Sequence, residues 1–230
     1  MERYQTAVRP LAGSADSTND ILWITYRWMS LGLAITGVVA WLVSQSPAAI
    51  QLIVQNRLVF FGLMLAQIGL VVTFSALVSR VGTAAAAALF FTYAALTGLT
   101  FSVLFLVYTL SSIASTFFIT SATFGGLSLF GAVTKRDLSI VGRFALFAVI
   151  GLLVTCIVNI FLQSSGLMWI TSVAGVLIFG ALTAYDTQAL KQLYAESGAG
   201  GNLALRGALK LYLDFINMFM FLLQLTGRRR

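Results

Sequence analysis

The 230-residue chain has no histidine, one cysteine (Cys156) and two prolines (Pro10 and Pro47). Without histidine there is no Ser–His catalysis, no imidazole metal ligation and no histidine pH switch. A single cysteine excludes an intrachain disulfide, and Cys156, inside an apolar run, reads as a small core hydrophobe. Charge is also scarce. Charged residues make up 9% of the chain, against about 25% in soluble domains. Hydrophobic residues make up 59%, and the mean hydropathy is +0.95. A buried core cannot absorb that deficit, so the chain reads as a polytopic membrane protein. Long smooth apolar runs with few prolines point to helices, because barrel strands alternate in short segments. The net charge of +7 does not point to nucleic acid, since the basic residues gather at helix ends and loops, where topology signals belong.

Seven apolar runs long enough to span a bilayer core are present, at about 22–43, 58–79, 83–108, 113–133, 143–163, 168–190 and 206–226. The expected architecture is all-α: residues 1–20 as a mobile polar tail and 21–230 as a single seven-helix transmembrane domain. Asn19 or Asp20 is the expected cap of the first helix. No apolar stretch with a cleavage site lies near the start, so the N-terminus is expected to be retained. With the N-terminus inside, Arg3, Arg9, Arg27, Arg80, Lys135, Arg136, Arg143, Lys191, Arg206 and Lys210 fall on the inner side, and Arg57 with Arg228–Arg230 on the outer. The arginine tail opposes the rule. Either the last segment crosses fully or it is re-entrant, and its length favours crossing. Ala94, Gly98 and Ser102 share one face at four-residue spacing, which suits close helix contact.

Two of the seven acids fall inside spans: Asp186 in TAYDTQAL and Asp214 in LYLDFIN. A charge at the bilayer centre costs roughly 2.5–3.5 kcal/mol, so such residues face the bundle interior and have partners. Asp214 lies roughly 12 Å into its span and Asp186 roughly 6 Å, measured from the same surface. Neighbouring helices can therefore bring them together. Two carboxylates in a low-dielectric site share one proton and titrate as a unit. Such a pair is a proton-sensitive latch or, when deprotonated, a hard-oxygen contact for Ca²⁺. Asn217 at i+3 is placed to hydrogen-bond the pair, and Lys210 at i−4 is expected to snorkel to the inner surface. The plainer alternative is an acid stapled to Arg80. An aspartyl-protease reading, by likeness to intramembrane proteases of the presenilin type, requires Gly-x-Gly before the second acid and a later Pro-Ala-Leu. Leu211, Tyr212 and Leu213 precede Asp214, and no proline lies beyond Pro47. The match reduces to two aspartates, and a non-enzyme is expected.

The segments SALVSRVG, TYAALTGLTFSVLFLVYT, FGGLSLFGAVTKRDLS, LTAYDTQALK and LYLDFINMFMFLLQ together resemble the bacterial branch of the Bax inhibitor-1 family, from about residue 20 to the C-terminus. The resemblance implies seven membrane helices with the last helix central. It also implies a paired-aspartate pH sensor at Asp186 and Asp214, and, in some members, a pH-dependent Ca²⁺ leak. Arg80 is placed as the arginine that latches the sensor in related proteins. Gln67, in LMLAQIGLV, stands where some members carry an acid near the ion path; it offers a carbonyl oxygen but no charge. The implied function is a calcium leak channel in a bacterial inner membrane, with the N-terminus cytoplasmic. Ca²⁺ is then the transported ion, in transient contact with Asp186 and Asp214, and no cofactor is expected. Lipid, Ca²⁺ and protons are the partners. The alternative is a non-conducting regulator of a membrane-bound protease complex, with the N-terminal twenty residues as the contact.

Overall fold

The computed structural model describes residues 15–197 and 202–230. Among these, nine helices follow in order: α1 (Ala15–Ser44), α2 (Pro47–Gln55), α3 (Arg57–Leu77), α4 (Thr83–Phe101), α5 (Leu104–Val107), α6 (Leu110–Val133), α7 (Ser139–Leu162), α8 (Ser165–Ser197) and α9 (Leu203–Thr226). Seven stretches are long and apolar enough to cross a membrane, with α4 and α5 together forming the third. The architecture is all-α, as the composition requires.

Two local features depart from the expected boundaries. Helix α1 begins at Ala15, so Asn19 and Asp20 lie within it and do not cap it. The connection after the first span folds into α2. Pro47 starts that helix, and the Ser46 side chain accepts a hydrogen bond from Ala49 N, the arrangement that satisfies an open helix N-terminus. Asn56 ends α2 and caps α3, accepting from Leu58 N at 3.0 Å and Val59 N at 3.3 Å.

Helix contacts are made where side chains are small. Ala94 and Ser102 are fully buried and Gly98 is buried with them. A Cβ at Gly98 would strike Val39 and the Thr36 carbonyl, so α4 lies almost backbone to backbone on α1. Thr36 Oγ1 donates to Ala94 O at 2.9 Å across this seam. Gly131 brings α6 against the Ala184 backbone of α8 in the same way. Helix α9 packs chiefly on α1, α4, α6 and α8, whereas α3 rests on α4 and α7 on α8.

Both ends of α9 are tied to opposite ends of the third span. Asn202 Nδ2, just before α9, donates to Val78 O and Val81 O at 2.7 Å each, in the turn ahead of α4. Beyond α9, Thr109 N donates to Arg228 O at 3.1 Å and Arg230 N to Val107 O at 3.0 Å, at the C-terminal end of α5. The last segment therefore runs the full length of the bundle and is not re-entrant. The arginine tail lies at the end opposite Arg80.

Candidate functional site: a buried carboxyl pair

Asp186 on α8 and Asp214 on α9 are 2% and 5% exposed. Their helices share the most extensive helix–helix contact in the bundle, and the two carboxyl groups are close enough across that seam to act on each other electrostatically. Lys210, one turn before Asp214, places Nζ 2.7 Å from Asp186 Oδ1. That is an ion-pair distance, although the approach lies outside the angular range of a hydrogen bond. The same ammonium stands 5.4 Å from the centre of the Tyr185 ring. Its own side chain is 47% exposed, while both acids are enclosed. Asp214 Oδ2 has no donor among the described residues.

The charge count follows. With Asp186 ionised, Lys210 charged and Asp214 protonated, the cluster is neutral. The proton on Asp214 also supplies the donor that two facing carboxylates lack. Removing it leaves one uncompensated negative charge between two helices, a costly state in a low-dielectric interior.

The surroundings hold α8 firmly. Gln188 accepts from Leu138 N at 2.9 Å and donates to Arg136 O at 2.8 Å. Lys191 Nζ donates to Ala132 O at 2.8 Å. These bonds fasten the turn between α6 and α7 to the α8 segment that follows Asp186. Gly142 of α7 leaves room for the Tyr185 ring, which a Cβ there would penetrate. On α9, Tyr212 is fully buried. Its hydroxyl meets Thr36 Oγ1 at 2.6 Å, and its ring meets Phe90 and Tyr93 edge-on. Nearer the Asn202 end, Tyr194 Oη lies 2.9 Å from Thr25 Oγ1 and donates to Leu203 O at 3.2 Å.

The other sequence-expected residues lie elsewhere. Arg80 is exposed, in the turn after α3, and makes no ion pair among the described residues. Lys210, expected at the membrane surface, holds the place next to Asp186. Asn217 does not turn to the pair: its Nδ2 donates to Leu213 O at 2.8 Å, within its own helix. Gln67 Nε2 reaches Thr100 Oγ1 at 3.5 Å, a weak link between α3 and α4. Lys210 was within reach of sequence reasoning, because i−4 spacing places it on the same helix face as Asp214.

No group of three or more carboxylate, histidine or thiol side chains comes together among the described residues. Two carboxylates supply fewer oxygens than the six to eight of a resident Ca²⁺ site.

A family model described as inhibitor of apoptosis-promoting Bax1 matches residues 18–230. The chain belongs to the Bax inhibitor-1 family. It is 43% identical over 233 aligned positions to the inner membrane protein YbhL of Escherichia coli K12, covering 99% of this chain and 98% of that protein. A Deinococcus radiodurans protein is 47% identical over 218 positions, with 93% of each chain covered. A Borreliella burgdorferi protein is 39% identical over 216 positions, covering 92% of this chain and 93% of the other. In this Bax inhibitor-1 family protein both acids lie at the seam between the last two spans.

Proposed function

We propose that this Bax inhibitor-1 family protein is a pH-responsive Ca²⁺ leak pathway of an inner membrane, gated by Asp186 and Asp214. The observation that carries this reading is the enclosure of two carboxyl groups on separate helices beside the ammonium of a half-exposed lysine. One proton gained or lost changes the cluster charge by a full unit in a medium that screens poorly. The resulting repulsion acts along the α8–α9 seam. Asp186 stands on one side of that seam, and Asp214 and Lys210 stand on the other. A two-state seam biased by protonation is the physical requirement of a pH gate. The proposed membrane placement follows the name of the YbhL relative. The proposed cytoplasmic N-terminus follows the charge asymmetry: Arg80, Lys135, Arg136, Lys191, Arg206 and Lys210 cluster at one end of the bundle, opposite Arg57 and Arg228–Arg230. The non-conducting regulator has no comparable support, since its contact surface falls largely on residues 1–14, outside the described residues.

The test is Ca²⁺ flux into liposomes holding purified protein, measured across about pH 6 to 8. Wild type should leak in a pH-dependent way, and Asp214→Asn should leak at a rate that no longer varies with pH. Equal leakage by the two proteins at every pH would sink the gate.

A further inference from the structure

A long cleft runs between α1 and α6 on the half of the bundle that carries the arginine tail. Its volume is about 670 Å³. Ala34 and Val38 form one wall, Ile113 and Phe117 the other, and Phe215 and Phe219 of α9 the floor. Of its three hydroxyls, those of Thr36 and Ser121 already donate to carbonyls of their own helices, Gly32 O at 3.0 Å and Phe117 O at 2.8 Å. The lining therefore suits a hydrocarbon and not an ion or sugar. Along α6 the cleft extends from Leu110 to Phe124, roughly 20 Å at the helical rise. One leaflet of hydrocarbon is roughly 15 Å thick.

The backbone of the arginine tail runs past one end of the cleft. Leu104, Phe105 and Leu110 line its end, and the Arg228–Arg230 backbone is bonded to Val107, Thr109 and Ser112 beside them. All three arginines are exposed, and none is in an ion pair among the described residues. Arg229 is turned to α8, where its Nη2 contacts Met168 Sδ at 3.6 Å. The tail is extended where it pairs with Tyr108, so Arg228 and Arg230 project to the opposite side from Arg229. The acids with described side chains, Asp20, Asp137, Asp186, Glu196 and Asp214, all belong to the Asn202 half of the bundle or to the α8–α9 seam, so none of them neutralises the tail's guanidinium groups.

We propose that this cleft holds one acyl chain of an anionic phospholipid whose phosphate rests on Arg228 and Arg230. The occupant touches Phe215 and Phe219, on the helix that carries Asp214. The site stands on the cleft and the tail alone and does not depend on the gate.

The experiment reconstitutes the protein in nanodiscs of phosphatidylglycerol and phosphatidylcholine in equal amounts. Native mass spectrometry then counts the lipids that remain bound. Wild type should retain phosphatidylglycerol in preference, with roughly fivefold enrichment per contributing arginine. Arg228→Gln with Arg230→Gln should lose that preference, and Arg229→Gln should keep it. These side chains are exposed and the strap is made by backbone atoms, so folding should be unaffected. Ala34→Phe and Ala114→Phe, each at an exposed cleft position on a different wall, should lose the retained lipid, with thermal melts showing that both still fold. The proposal fails if wild type shows no enrichment, if enrichment survives the Arg228/Arg230 double variant, if Arg229→Gln abolishes it equally, or if both folded cleft-filled variants still retain the lipid.

Discussion

Helices α7 and α9 are each 24 residues long and each crosses the bundle, yet they are built on opposite terms. Helix α7 is the most apolar of the seven spans, and 11% of its apolar stretch is buried. Helix α9 ties for the least apolar, and 56% is buried. In water the order would be reversed. In a bilayer the solvent is itself hydrocarbon, so an apolar helix gains little by leaving it, while polar groups must find partners inside. Phe144, Phe147 and Phe161 of α7 face outward. Asp214 and Tyr212 of α9 face inward, beside Asp186 and Thr36. The lesson is that the interior of this protein was to be sought in its less hydrophobic segments.

The sharpest way to break that contrast is steric. Gly131→Ala drives a Cβ into the Ala184 backbone and should destabilise the fold by about 3 kcal/mol. Gly151→Ala on α7 meets nothing within 4 Å and should leave the melting temperature unchanged or slightly raised. Thermal melts of both variants in the same detergent check the pair. If the two behave alike, α6 and α8 are not in close contact.

A smaller effect separates the polar interior from the lipid face. Tyr212→Phe removes one hydroxyl from a buried pair while Thr36 keeps its bonds to Gly32 O and Ala94 O. The expected loss is about 1 kcal/mol. Phe144→Leu on α7, which is 73% exposed, should change stability by less than about 0.5 kcal/mol. Denaturation monitored by tryptophan fluorescence resolves the difference.

Much of the candidate site was legible in the sequence, for a physical reason. An acid in hydrocarbon is so costly that its position alone marks it, and Asp186 and Asp214 were conspicuous against 59% hydrophobic residues. The small-residue seam at Ala94, Gly98 and Ser102 was readable because spacing fixes a helix face. The partner of Asp186 was misread. The ammonium of Lys210, although its side chain is half exposed, meets the Tyr185 ring and an acid on another helix, neither adjacent in sequence. Arg80 was assigned by resemblance; it lies in the turn that Asn202 holds and makes no ion pair among the described residues. The path of the tail was also hidden, because backbone hydrogen bonds to residues more than a hundred positions away leave no mark on composition.

The smallest expected effect lies outside the membrane segments. Asp137, in the turn before α7, accepts from Ser139 N at 2.8 Å. Hydrogen bonds from Ser139 hold its carboxyl below the ordinary value of 3.8. A depressed carboxylate stabilises the fold fully above its unfolded value and loses that contribution as pH falls through the folded one. Asp137→Asn should therefore flatten a slight acid-side slope in melting temperature below about pH 4 and change nothing near neutrality.

The central claim is that Asp186 and Asp214 titrate as one unit. Isotope-edited infrared spectroscopy of the carboxyl stretch, with aspartate labelled and pH varied in the membrane-reconstituted protein, tests it most directly. A protonated-carboxyl band that changes with pH in wild type, and that Asp186→Asn and Asp214→Asn each abolish or displace, is the predicted result. A pH-dependent band that is untouched in either single variant would contradict the account.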